Sequence, residues 1–210
     1  MQKSDPTLGD RAARTRGRPR AFDRALALAR ATRLFWVKGY EATSIADLTQ
    51  AMGIGAPSLY AAFGSKEALY AEALRHYEAT YEQLVWAGFH SAPTAREAVS
   101  AFLLDSASAL TGAPDDHPLG CMVTLSAVGS EGHAELGELV RSARAVTLQR
   151  LQARLSAAVA AGELRAGTDI HARARFYQCI QAGMSILARD GTPRAELEAV
   201  ARQALAQWNV

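Results

Sequence analysis

Only two of the 210 residues are cysteine, and Cys121 and Cys179 lie far apart. Two thiols cannot supply a disulfide framework, and in a reducing compartment both are expected to be free. No run of about 18 apolar residues occurs, so neither a membrane-spanning helix nor a membrane partner is expected. The first residues lack the apolar core of a secretory signal, which points to a cytoplasmic protein. β-Branched runs and alternating apolar–polar stretches are scarce, while alanine and leucine are abundant, so the chain reads as all-α. Also missing are a nucleophile–base constellation, a glycine-rich phosphate loop and a paired metal-ligand motif. An enzyme, a cofactor and a metal site are therefore not expected. His117 and Cys121 are four apart and form at best half a metal site.

Net charge is small, +2 over 210 residues, but it is unevenly placed. Up to Arg20 the chain carries Lys3, Arg11, Arg14, Arg16, Arg18 and Arg20 against Asp5 and Asp10. Residues 1–20 show no periodic apolar face and read as a flexible basic arm, the charge footprint of a nucleic-acid binder. Within it, Arg16-Gly17-Arg18-Pro19 resembles the core of an AT-hook, an extended element suited to a narrow minor groove. A solvated tail that adds only phosphate attraction is the alternative.

The chain is organised around Thr43 to Tyr70. Ser44 is an N-cap with Asp47 three residues on, and Ile45, Leu48 and Met52 follow at helical spacing. Gly53 falls where that helix must stop. Ile54 returns to the core, and Pro57 suits the first turn of a second helix. Leu59 and Phe63 share one face of it, Gly64 ends it, and Ser65 caps the next. Two short helices joined by a tight glycine turn describe a helix-turn-helix. Ahead of them, Asp23 caps a first helix to about Lys38 with Ala27, Ala31, Leu34 and Phe35 inward, and Tyr40 fills the core.

Leu34-Phe35, Gly39-Tyr40, Thr43-Ser44, Ile45, Leu48, Gly53, Leu59-Tyr60, Phe63, Lys66 and Leu69 together resemble the DNA-binding domain of the TetR/AcrR family of bacterial transcriptional regulators. The resemblance implies a three-helix helix-turn-helix domain over residues 21–66. It implies a helical ligand-binding and dimerisation domain over residues 67–210. It places the recognition helix at about Ala56 to Phe63, with Ala56, Pro57 and Ser58 toward the major groove of double-stranded DNA. Thr43, Ser44, Tyr60 and Lys66 would contact the phosphate backbone, and Arg16, Arg18 and Arg20 would add contacts from the arm. Two departures stand out. Gly55, Ala56, Pro57, Ser58, Ala61 and Ala62 offer no bidentate hydrogen bonds to bases, which shifts specificity toward thymine methyls, DNA shape and the arm. Thr49 replaces the usual alanine, and its extra hydroxyl and methyl imply a slightly looser helix crossing or a hydrogen bond back to the preceding turn.

Further on, Ser65 to about Val85 reads as one helix, Ala87 to Pro93 as a loop, and Thr94 as the next cap. Thr111 to Pro118 reads as a linker. Leu119 to Val128 is a short apolar run that residue type alone leaves open to strand or helix; the resemblance favours a short buried helix. A long helix follows from His133 to about Ala161. Asp169 and Thr192 are expected to cap the last two helices. Their broad apolar stripes need a partner, and the resemblance pairs them across a two-fold axis in a homodimer. Phe176, Ile180, Gly183, Leu187, Leu197, Val200, Ala204 and Trp208 are the interface candidates.

Candidate residues for a mostly apolar effector cavity are Tyr77, Tyr81, Phe102, Cys121, Met122, Leu125 and Phe176. They point to a small hydrophobic or aromatic effector of unknown identity. Gly120-Cys121 at the start of an apolar segment also resembles a thiol-sensing branch of the family, the alternative being a buried small hydrophobe. A ligand-responsive repressor acting as a homodimer is the leading expectation, and a non-sensing architectural DNA binder that relies on the arm is the competing one.

Overall fold

The computed structural model describes residues 22–113 and 117–208. The described residues form helices α1 Arg24–Lys38, α2 Ile45–Met52, α3 Ala56–Phe63, α4 Lys66–Ser91, α5 Ala95–Leu110, α6 Met122–Leu125, α7 Ala134–Ala160, α8 Ile170–Arg189 and α9 Arg194–Ala206. No strand occurs among them.

The N-terminal helices form as their caps dictate. The Asp23 carboxylate accepts from the Leu26 N–H, 3.0 Å away, and starts α1. Ser44 and Asp47 form a complete capping box at the head of α2. Gly53 ends α2 with φ 71° and ψ 33°, a left-handed conformation that glycine adopts without a Cβ penalty. Leu48 and Leu59 are fully buried, in one apolar cluster with Phe35, Leu69 and Tyr70. The Thr49 hydroxyl donates back to the Ala46 carbonyl, 3.0 Å away, as its extra oxygen suggested. Tyr40 is buried, lies near-parallel to Phe35 at 6.2 Å and donates its hydroxyl to Glu67 at 2.8 Å. The same apolar cluster continues through Leu74 of α4 into Met122, Val123, Leu136 and Val140. The helix-turn-helix unit is thus seated on α6 and α7 without a gap.

α4 is longer than the sequence suggested. It runs through Gly88 to Ser91, so Phe89 is a core residue rather than loop. Gly88 is not a breaker here. A Cβ on it would lie 2.6 Å from Asp105 Oδ2 and 3.0 Å from Ala101 Cβ, so glycine permits the close crossing of α4 and α5. α5 packs against α4, α7, α8 and α9 and is the central element of the C-terminal half. Leu119 to Val128 forms a single helical turn, α6, flanked by extended backbone. α9 starts at Arg194 with Pro193 at the cap position and no side-chain cap, so Thr192 does not serve as one. Residues 114–116 of the expected linker lie outside the described residues.

Candidate DNA interface and effector cavity

The outward side of α3 is smooth. Leu59 and Phe63 face the core, whereas Pro57, Ser58, Tyr60 and Ala61 are exposed and Ala56 is half-buried. Ser58 and Tyr60 bring the two hydroxyls of that surface. Arg24 fixes the far end of α3. Its guanidinium lies 4.4 Å from the Phe63 ring centroid, reaches the Ala62 carbonyl at 3.3 Å and pairs with Glu72 at 2.6 Å.

Two expected phosphate ligands are otherwise engaged. Thr43 is fully buried, and its hydroxyl donates to the Gly39 carbonyl at 2.6 Å while its N–H points to the Tyr40 carbonyl at 3.3 Å. It shapes the loop before α2 and cannot touch a phosphate from there. Ser44 uses both its N–H and its hydroxyl on Asp47 Oδ2, at 2.9 and 2.8 Å. The Ser44 backbone N–H first, and then the Lys38 ammonium, lower the Asp47 carboxyl to about 2. Lys66 Nζ sits 4.2 Å from the Tyr40 ring centroid at the head of α4, where its charge adds to the positive helix end. Arg16, Arg18 and Arg20 lie outside the described residues.

Behind this module, α4, α6, α7 and α8 line a half-open cavity of about 610 Å³, to which α5 contributes Phe102. Tyr77, Tyr81, Phe102 and Cys121 line it, as the sequence suggested. Met122, Leu125 and Phe176 do not. Met122 is buried in the cluster under the helix-turn-helix, and Leu125 lies against the Gly120 backbone. Phe176 is on the outer face of α8. Apolar character alone points to these three, and it does not distinguish cavity wall from core or from an exposed face. The cavity is also more polar than expected, with Glu78, Glu82, Arg144, Arg150 and Arg175 in its wall. Sequence reasoning missed them because charged residues on long helices read as solvated faces.

Cys121 opens into this cavity. The Tyr77 hydroxyl donates to its sulfur at 3.3 Å and the Thr124 N–H does so at 3.5 Å. Burial above all, and then the Cys121 sulfur, push the Tyr77 phenol well above its ordinary range, so it remains a donor. His117 is buried with Nε2 unpartnered, and no group of three or more metal-ligating side chains occurs among the described residues.

One α1 side chain reaches this wall. Trp36 donates from Nε1 to the Gly120 carbonyl at 3.0 Å, and its ring packs edge-on against Tyr77 and Tyr81 at 4.8 and 5.0 Å. His117 stacks on it at 5.1 Å. Arg189, at the end of α8, ties the same region together by donating to the carbonyls of Trp36, Val37 and Leu119 at 2.8, 3.1 and 2.9 Å. Neither residue carries a local signal in the sequence, because the contacts join positions more than forty residues apart.

α8 and α9 present an apolar outer face. Phe176, Leu187 and Val200 are exposed, and a shallow groove of about 410 Å³ runs past Phe176, Ile180, Val200 and Ala204. A Cβ on Gly183 would meet nothing within 4 Å. Leu197 and Trp208 instead belong to this protomer's core, Trp208 lying near-parallel to Tyr177 at 6.2 Å, so they are not surface for a partner.

Residues 27–73 match the family described as bacterial regulatory proteins, tetR family. The HTH-type transcriptional repressor ComR of Escherichia coli (strain K12) is 36% identical over 200 residues, covering 93% of each chain. The repressor BdcR of the same organism is 48% identical over 67 residues, 32% of this chain and 34% of its own. A cysteine-substituted form of the TetR family regulator CifR, complexed with a 26-base-pair operator, superposes with a TM-score of 0.84. It shares 41% identity, over 91% of this chain and all of that one. These relatives are transcriptional regulators rather than enzymes, and the chain belongs to the TetR family of bacterial DNA-binding transcriptional regulators.

Proposed function

We propose that the protein is a repressor that binds a palindromic operator as a homodimer in the cytoplasm and is released by a small molecule in the α4–α8 cavity. The observation that carries the ligand-responsive part is Trp36, an α1 residue whose ring packs against two cavity-wall tyrosines and whose N–H holds the cavity loop. A ligand that displaces Tyr77 or Tyr81 acts directly on α1, and release follows when it favours the orientation that DNA does not. Residues 21–66 form the DNA-reading unit, residues 67–210 the sensing and pairing unit, and residues 1–20 the basic arm. The exposed face of α3 enters the major groove. Ser58 supplies one hydrogen bond, Ala61 and Pro57 touch thymine methyls, and Tyr60 and Lys66 meet the backbone. The open α8–α9 face, with Phe176, Ile180, Leu187 and Val200, pairs two protomers and sets two recognition helices on a two-fold axis. The relatives named above, a repressor and a regulator bound to operator DNA, support this reading.

A base-resolution footprint on the bound operator tests it. Protection in two symmetric half-sites, extended by contacts beneath the arm, is expected. An essential guanine under α3 with nothing beneath the arm contradicts the division of labour proposed here.

A second reading rests on the cavity-facing sulfur of Cys121 and its Tyr77 hydrogen bond. Here an electrophile or oxidant, rather than a reversibly bound molecule, is the signal. Treating wild type and Cys121→Ser with a thiol-directed electrophile and measuring operator binding separates the two, and equal responses remove the thiol role.

A further inference from the structure

The charged residues of the cavity wall are not equivalent. Arg144 donates to the carbonyls of Val123 and Thr124 at 3.1 and 3.0 Å and so finishes α6. Arg150 is paired with Glu82 and lies 4.8 Å from the Trp86 ring centroid. Arg175 is exposed and donates to Gln178 Oε1 at 2.6 Å. Glu78 is the exception. It is half-buried in the same wall, between Tyr77 and Tyr81 on the α4 sequence, and no hydrogen bond or ion pair with a described residue reaches its carboxylate. Burial, and then Glu82, push its carboxyl above the ordinary range, while Arg150 and Arg75 pull the other way without closing an ion pair.

We propose that the effector of this cavity is an amphipathic organic cation. Its charged group lies beside Glu78, and its apolar body lies against Tyr77, Tyr81, Trp86 and Phe102. The inference rests on the ligand-responsive reading above and names the class of ligand. A partly desolvated carboxylate without a donor is unfavourable, and a cation relieves it. Aromatic walls add to the attraction, because ring faces are negative; Arg150 over Trp86 already shows a cation held this way. A neutral hydrophobic ligand would desolvate Glu78 further with no compensation, and an anion would meet a like charge. The wall as a whole carries three arginines against two glutamates, so the preference is local to Glu78. Arg144 uses its donors on the carbonyls around α6, Arg150 is paired with Glu82, and Arg175 stands in solvent, where ion pairing contributes little.

Tetraphenylphosphonium and tetraphenylborate have nearly the same shape and opposite charge, and they make the test. Binding of each to the full-length protein is measured by equilibrium dialysis, for wild type and for the isosteric Glu78→Gln. Tetraphenylphosphonium is expected to bind wild type more tightly than tetraphenylborate and to lose about tenfold or more in Glu78→Gln, as a pairing at low effective dielectric requires. Tetraphenylborate is expected to bind Glu78→Gln at least as well as wild type. Tighter binding of the anion to wild type, no binding of either ion, or an unchanged tetraphenylphosphonium affinity in Glu78→Gln overturns the proposal. A melting curve of Glu78→Gln that matches wild type excludes loss of fold as the cause. Failure here leaves the repressor reading intact as long as wild-type protein selects one inverted repeat; absence of any selected site removes that reading whatever the ions do.

Discussion

Replacing Trp36 by phenylalanine probes the joint between the DNA-binding module and the cavity. The substitution removes the Nε1 donor from the Gly120 carbonyl and half of a ring that is 4% exposed. A buried acceptor left without its donor costs about 1–3 kcal/mol. The lost ring volume, between Tyr77, Tyr81 and His117, adds about 1–2 kcal/mol more. A total near 3 kcal/mol corresponds to a melting temperature lower by roughly 6–12 °C in a domain of this size. The assay is urea and thermal unfolding at one protein concentration, because the stability of the proposed dimer depends on it. The same variant must also respond less to cavity occupancy. Alkylating Cys121 with N-ethylmaleimide in a Cys179→Ser background places a covalent adduct in the cavity. The resulting change in operator affinity is expected to shrink about tenfold when Trp36 is phenylalanine, the size of an ordinary coupling free energy. A stability loss under about 1 kcal/mol, or an undiminished response to alkylation, refutes the reasoning.

Gly120→Ala is expected to destabilise by about 2–4 kcal/mol in urea titration, since its φ is +74° and a Cβ would lie 2.8 Å from the Ser185 carbonyl oxygen. Asp47 supplies a pH test. Its folded carboxyl is held at about 2, below the ordinary 3.8, so its contribution is present above about pH 4 and fades as pH falls toward 2. Unfolding curves over that range are expected to flatten in Asp47→Asn, and an identical acid profile contradicts the capping account. Tyr60→Phe is expected to weaken operator binding about three- to tenfold by fluorescence anisotropy, evenly across operator variants, as loss of a backbone contact does. An affinity change confined to one base position would instead make Tyr60 a base reader.

The helix-turn-helix was legible in the sequence because its signals are local. Caps at Asp23, Ser44 and Ser65, the glycine at 53 and the spacing of Leu48, Leu59 and Phe63 each act within a few residues. Gly88 shows the limit of that reasoning. A glycine read as a helix breaker is instead a contact surface, because what decides is Ala101 and Asp105 on another helix. Thr43 shows another limit. Its hydroxyl suits a phosphate by type, and only the fold reveals that the Gly39 carbonyl already holds it. Trp36, Glu78 and Arg189 were passed over altogether. Their significance lies in what faces them across the structure, Gly120, the cavity and the end of α1, and periodicity does not report it.

The most direct test of the account is a genome-wide selection of DNA fragments by the purified protein at near-physiological salt. Specific and non-specific binding differ in salt dependence, so the salt concentration is fixed and stated. A single enriched inverted repeat is predicted, as a two-fold dimer with two α3 helices requires. Broad enrichment of A·T-rich fragments without a repeat would contradict the account and make the basic arm, rather than α3, the element that finds DNA.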